Sequence, residues 1–481
     1  RQKKFPEIIY RIPGRLKQMG IFITRDLLSK LANRQYILIS FLGAPLLALL
    51  LGYFTRYAKG DYYQFIENDN LTAYLFMCVI TALFLGLIIS SEEILKDRKI
   101  LKRESFLNLS WFSYINSKII MMFLISAIQT ISFILVGNSI LGIKGMTFPY
   151  WLVLFTTSCC ANMIGLNLSS SLNSVITIYI LIPFILIPQL LFSGVLVKYE
   201  KLHISKNSSV EFVPLIGEMM PARWSFEALA VEQFKNNKYE RIFFPYDAKI
   251  SNNNWYGSFL VKSLKGNLQQ WERAKAFNDT IKNDLMKFQF HIEEMFDVLN
   301  YEIPDGFYKV FNEEKPDSST FKQIENYLAF LEQKFNSKYK TAQYSKDSLI
   351  RTLGKTDIEK DKLVRLKTDY YNKGLAAFVL NGDMTDQSVE KPKRIYRKYE
   401  PGYMPPTANN GRAHFCAPFK MIGSLKIDTF WFNLIVVWVV SVILHIALYF
   451  NLLRKILSGF DKSNRRKSDS NFLIIKEISS W

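Results

Sequence analysis

Cysteine and histidine are scarce in this 481-residue chain, four of each, and their scarcity removes several chemistries at the outset. Cys78, Cys159 and Cys160 lie inside apolar runs and only Cys416 sits in a polar stretch, so no disulfide can close within that stretch. Two readings of Cys416 stand: a bridge to its twin across a dimer axis, or a buried free thiol. The histidines, His203, His291, His414 and His445, are scattered, and neither an HExxH helix nor a CxxC pair offers a metal site. A GxSxG elbow and a GxxxxGK(S/T) phosphate loop are also missing, so the chain has no enzyme signature and cannot cradle ATP phosphates by itself.

Charge is missing as well, but only in certain places. Six apolar stretches, Tyr36 to Phe54, Leu71 to Ser91, Ile119 to Leu141, Trp151 to Leu172, Val175 to Val197 and Thr429 to Leu453, hold no Asp, Glu, Lys or Arg in their middles. Proton-coupled carriers need buried ionisable relays, so that absence argues against secondary transport. Each run is about twenty residues or more, which at about 1.5 Å per residue covers a hydrocarbon core of about 30 Å. The overall mean hydropathy of +0.04 hides this, because the polar middle of the chain offsets the apolar ends.

The positive charge has a location. Lys and Arg number 61 against 42 Asp and Glu. Residues 1 to 34 and the segment after Leu453 are basic, and the short stretch from Glu92 to Lys118 carries Lys96, Arg98, Lys99, Lys102, Arg103 and Lys118. Basic flanks beside apolar spans are a positive-inside pattern rather than a nucleic-acid surface, and they place both termini in the cytoplasm of a multi-pass inner-membrane protein. The chain starts at Arg1 without an initiator Met, so a preceding segment is expected.

The expected fold is an all-α membrane protein. Residues 1–35 form an amphipathic connecting helix, from Leu16, Met19, Ile23, Leu27 and Leu31 at helical spacing, lying either in the headgroup layer or against another domain. Residues 36–197 hold transmembrane helices one to five, with a coupling segment at 92–118. Residues 198–427 form an extracytoplasmic loop with a re-entrant segment at 215–234 and a helical subdomain at 255–376. The sixth helix occupies 428–454 and a cytoplasmic basic tail 455–481. Within the loop, helical periodicity runs from Phe277 to Leu299, from Phe321 to Tyr339 and, more weakly, from Ile358 to Tyr370, with breaks at Pro304-Asp305-Gly306 and Lys315-Pro316-Asp317. Residues Val389 to Pro418 read as an extended return path.

Three motifs carry a resemblance. Glu93-Ile-Leu-Lys-Asp97-Arg98, followed by Arg103-Glu104 and Ser113-Tyr114, resembles the coupling segment of the G subfamily of ABC transporters, with Asp97 where that family usually has Glu. Phe192-Ser193-Gly194-Val195-Leu196-Val197 is similar to the family's Phe-Ser-Gly-Leu-Leu-Val, and Pro221-Ala-Arg223-Trp224-Ser-Phe226 to its re-entrant Pro-x-Arg-Tyr-x-Phe. The resemblance covers residues 12 to 230 and 424 to 457. It implies that Glu93, Asp97, Arg98, Arg103 and Glu104 couple to a nucleotide-binding domain. It also implies that Gly194, Val195 and Leu196 form a gate, and that Pro221, Arg223, Trp224 and Phe226 belong to the re-entrant segment. A substrate cavity between the second and fifth spans of two protomers would be walled by Cys78, Thr81, Leu85, Pro183, Ile187 and Leu190, with Leu85 where the family often places a clamping Phe. An alternative reading of Val195 and Leu196 is plain lipid-facing packing.

The function implied is the transmembrane domain of an ABC transporter that moves a lipid-like or hydrophobic substrate by alternating access as a homodimer in the lipid bilayer. No cofactor is expected in this chain, ATP and Mg belonging to an attached or separate nucleotide-binding domain, and no nucleic-acid partner is expected. The rival from another class is a membrane-anchored scaffold whose outer loop recruits an envelope partner.

Overall fold

The protein, seen as a computed structural model, is described over residues 13–104, 109–202, 211–272, 279–311, 317–384, 386–391 and 393–458. His203, Phe277, Lys315, Pro316 and the basic tail beyond residue 458 lie outside the described residues. An amphipathic helix α1 (Arg15–Ala32) leads into the apolar helices α2 (Arg34–Thr55) and α3 (Leu71–Ser91). The charged α4 (Glu93–Arg103) follows α3 with only Glu92 between, and α5 (Trp111–Leu141), α6 (Thr147–Ser171) and α7 (Val175–Leu191) complete the first half. Local chemistry sets the boundaries: the Asn33 side chain accepts from Tyr36 N and that of Ser110 from Ser113 N, while Gly142 ends α5 in the left-handed region at φ 64°.

Among the described residues, five helices are long and apolar enough to cross a membrane: α2, α3, α5, α6 and α17 (Thr429–Tyr449). The fifth expected span is shorter than the sequence suggests, because α7 stops at Leu191 and the chain turns through Ser193 and Gly194, the latter at φ +81°. An apolar turn has the composition of an apolar helix, so hydropathy alone runs the two together. The third is longer, since α5 starts at Trp111 and carries Lys118 two turns inside it.

Small residues let the helices approach. A Cβ on Gly86 of α3 would sit 2.7 Å from the Ser158 carbonyl oxygen and 2.8 Å from Ala161 Cβ on α6, closer than real side chains pack. Polar side chains bridge the same interior: Gln129 donates to Ser40 O at 2.6 Å, Asn162 to Ser126 Oγ at 2.7 Å, and Asn167 to Leu444 O at 2.9 Å. The outer surfaces are apolar instead. Leu38, Ile39, Leu42 and Leu46 on α2 and Ile435, Val439, Val442 and Ile443 on α17 are all more than half exposed. Stripes of that kind exceed what a water-soluble surface carries, and they match hydrocarbon.

Between α7 and α17 lies the insertion: α8 (Leu215–Glu218), α9 (Pro221–Lys235), α10 (Glu240–Asn254), a π-helical stretch (Trp255–Leu260), α11 (Val261–Glu272), α12 (Asp279–Leu299), α13 (Phe307–Phe311), α14 (Ser318–Leu353), α15 (Asp357–Tyr370) and α16 (Lys373–Val379). The Phe288, Ile292 and Met295 face of α12 meets Ile324, Leu328 and Phe335 of α14 in a hydrophobic cluster separate from the main core. The expectation of an all-α fold needs correction. Antiparallel hairpins β1 (Ser388–Lys391) with β2 (Arg394–Arg397), and β3 (Phe419–Ile422) with β4 (Leu425–Asp428), lie at either end of the expected return path. Four-residue strands leave too short a period-two signal to stand out in sequence. The path is also no loose tether, because Ile395 belongs to the insertion's own core cluster and Cys416 to the main one with α3, α6 and α9.

Candidate coupling site and gate

At the end of the bundle that bears α1 and α4, three elements meet on one lysine. Lys118 is only 5% exposed and its ammonium lies 2.6 Å from Asp26 Oδ1 of α1, 3.2 Å from Glu93 Oε2 and 2.9 Å from Asp97 Oδ2 of α4. Lys30 of α1 reaches both Asp26, at 2.7 Å, and Glu93, at 2.8 Å. Tyr114 donates to Asp97 at 3.1 Å. Around this cluster, Arg25 pairs with Glu104 at 3.1 Å, and Glu92 holds Lys96 and the Tyr179 hydroxyl of α7. Burial works to raise the Asp26 carboxyl, but Lys118 and Lys30 outweigh it and hold the group below its usual range. A buried ion cluster of this sort adds little net stability, yet removing one member leaves charges without partners. It ties α1, α4 and α5 to one another.

The residues that the resemblance assigns to coupling therefore divide. Glu93, Asp97 and Glu104 are drawn into contact with α1 and α5. Arg98 faces the other way, donating to Ser169 O at 3.0 Å, Ser170 O at 2.6 Å and Asn173 Oδ1 at 2.7 Å, which ties α4 to the turn between α6 and α7. Arg103 is exposed and makes no ion pair among the described residues. Sequence reasoning missed Asp26 and Lys30 as partners, having counted them only as flanking charge, and placed Lys118 in the charged segment without assigning it a contact. The available signal was a lysine placed inside the apolar face of a long helix, where a cation needs a counter-charge.

The proposed gate residues sit just past α7. A Cβ on Gly194 would meet the Tyr199 ring at 2.5 Å, and its positive φ favours glycine independently. Ser193 Oγ accepts from Val195 N at 3.3 Å, while Leu196 is 62% exposed and seals nothing within one chain. The expected cavity wall separates into two sets. Cys78 and Thr81 are buried inside the bundle, and Leu85 and Leu190 pack against its core, whereas Pro183 and Ile187 lie on the exposed face of α7 beside Phe184. The exposed large side chains of α3 are Met77 and Phe84, a face that spacing alone did not distinguish from that of Leu85.

Pro221 opens α9, and two turns of that helix are the most enclosed charged part of the insertion. Glu227 Oε2 accepts from Lys420 at 2.8 Å and from Asn433 of α17 at 2.8 Å, its Oε1 accepts from Cys416 N at 3.0 Å, and Arg223 lies 3.4 Å away. The Arg223 guanidinium also rests 3.9 Å over the Trp224 ring, with Nε and Nη1 unpartnered among the described residues. Phe226 packs edge-on against Phe76 of α3 and Phe378. This cluster bolts the re-entrant helix to α17 and to the return path.

Long apolar helices with lipid-matched surfaces and a buried polar joint at one end define a multi-pass membrane protein. The model of the ABC-2 type transporter family matches residues 17–234, so that stretch is similar to an ABC-2 type transporter domain. The match takes in α1, the coupling cluster, α7 and α9 in order. No curated protein sequence matches the chain.

Proposed function

We propose that this chain works as a dimer of six-span protomers, α7 serving as the fifth span, and exports or translocates a lipid-like or hydrophobic molecule across the inner membrane by alternating access. Both termini and the α1–α4 end lie in the cytoplasm, and the insertion lies outside. ATP and Mg are bound and hydrolysed on an attached or partner nucleotide-binding domain. The observation that carries this reading is the Lys118 cluster, which joins α4, the element placed to rest on that domain, to α1 and α5 through buried ion pairs. A push on α4 is thereby transmitted as rigid-body motion rather than absorbed. The exposed apolar face of α7, with Ile180, Phe184 and Ile187, supplies the surface that two protomers would present to each other and to an apolar cargo. Transport measured in the complete transporter with Lys118→Met tests this: ATP hydrolysis persists while transport falls at least tenfold. Unchanged transport, or ATP hydrolysis by this chain alone, contradicts it.

The scaffold reading is favoured by one observation, the separate hydrophobic cluster of the insertion, which gives it the makings of an independent recognition lobe. Deleting residues 255–353 separates the two readings while sparing Leu375, Val379 and Cys416, which the main core requires. A transporter keeps ATP-coupled turnover after that deletion; a scaffold loses its function.

A further inference from the structure

Directly beyond Gly194, a cavity of about 80 Å³ opens between the chain leaving α7, the end of α16 and the return path. Its lining contains Lys198, Arg397 and Lys398 and, among the described residues, no carboxylate. The Lys198 ammonium makes no hydrogen bond or ion pair among the described residues. Arg397 is buried and held by Asn252, at 2.8 Å, and by Glu400, at 3.4 Å, and it remains a cation. His414 accompanies it as a neutral ring, because burial pushes its imidazole down to about 4. Behind the wall, Arg223 lies 6.0 Å from the Phe415 ring that lines the cavity, and its Nε and Nη1 are the unpartnered donors already noted. A cavity whose described lining brings an unpaired ammonium and a guanidinium together without a carboxylate is complementary to an anion.

The remaining walls are apolar: Phe212, Phe378 and Met384 face the same space. Through Arg397, Met404 and His414, which line both, the cavity adjoins a second of about 440 Å³ walled by Trp255, Phe290 and Tyr396. The carboxylates of that larger chamber, Glu211 and Glu294, are both engaged by Arg394, at 3.3 and 3.4 Å. Four features of unusual backbone surround the pair. Asn381 and Cys416 line the first cavity with positive φ, Glu400 adopts the same region to hold Arg397, and Trp255 opens a π-helical stretch. Backbone of this kind gathers where a site is shaped for a ligand.

We propose that the insertion carries a binding site for an anionic amphiphile, its headgroup, carboxylate or phosphate, in the small chamber at Lys198 and Arg397 and its single apolar chain in the aromatic chamber past Met404. The site receives cargo just released by the gate, so it rests on the transport reading and narrows that cargo to anionic single-chain lipids. The test is fluorescence binding of 11-(dansylamino)undecanoic acid to the complete transporter in nanodiscs of zwitterionic lipid. Saturable binding is expected, displaced by dodecanoate and dodecyl phosphate but by neither dodecanol nor inorganic phosphate. Lys198→Glu and Met404→Trp, one changing charge and the other blocking the passage, are each expected to weaken it about tenfold, about 1.4 kcal/mol. Equal displacement by dodecanol, displacement by inorganic phosphate alone, or wild-type affinity in both variants overturns the proposal. ATP-driven transport by Lys118→Met is read separately, so loss of this site and failure of the transport account give different results.

Discussion

Lys118 shows how one side chain can be read two ways. In sequence it is the last of six basic residues flanking an apolar run; in the fold it is a nearly enclosed cation shared by three carboxylates. Replacing it with methionine leaves Asp26, Glu93 and Asp97 with Lys30 as their main counter-charge, a loss of about 3–5 kcal/mol that a thermal unfolding scan will register as a lowered Tm. The same logic applies to Lys420, wholly buried against Glu227, and Lys420→Met should destabilise the junction of α9 and α17 by a similar amount. Glu240 offers a pH test. Burial, then the nearby Asp247, raises its carboxyl to about 7, against the Tyr403 hydroxyl, Lys346 and Lys367. A raised carboxyl stabilises the fold below its unfolded value of about 4.3 and loses that contribution as the pH climbs through 7. Glu240→Gln should therefore match wild type at pH 5 and exceed its Tm by a few degrees at pH 8; a difference that does not change with pH rejects this assignment.

At the scale of elements, what was legible in sequence depended on the strength of the period. The run from Leu71 to Ser91 is the helix α3 residue for residue, because an apolar stretch flanked by Asn70 and Glu92 leaves no other boundary. The apolar faces of α12 and α14 were likewise visible in the spacing of Phe288, Ile292, Ile324 and Leu328. Two features were not. The break of α7 at Leu191 depends on the φ of Gly194, and the hairpins β1–β2 and β3–β4 are held by pairing partners that hydropathy cannot see. Residues 92–118 were legible as a charged stretch, but their partners on α1 are 63 to 92 residues away in the chain for the Glu93 to Lys30 and Lys118 to Asp26 contacts. Helix contact itself is testable: Gly86→Leu drives a side chain into Ser158 and Ala161, so the purified variant should lose its monodisperse elution, whereas Gly43→Leu, with open space around it, should not.

For the whole molecule, the account divides one chain between two solvents. The α2 and α17 surfaces match hydrocarbon, the Lys118 cluster lies at one end of the bundle, where the proposed nucleotide-binding domain would dock, and the insertion has a core of its own. The ABC-2 match spans residues 17–234 and thus the first end and the bundle, while most of the insertion lies beyond it. The division makes a claim about sides. All four native cysteines are buried, so single cysteines placed at Arg103, exposed at the end of α4, and at Ile358, 70% exposed on α15, can be labelled by an impermeant maleimide on sealed inside-out and right-side-out vesicles. The account predicts that R103C reacts only from the face on which ATP is supplied and I358C only from the opposite face. Labelling of both from the same face would contradict it.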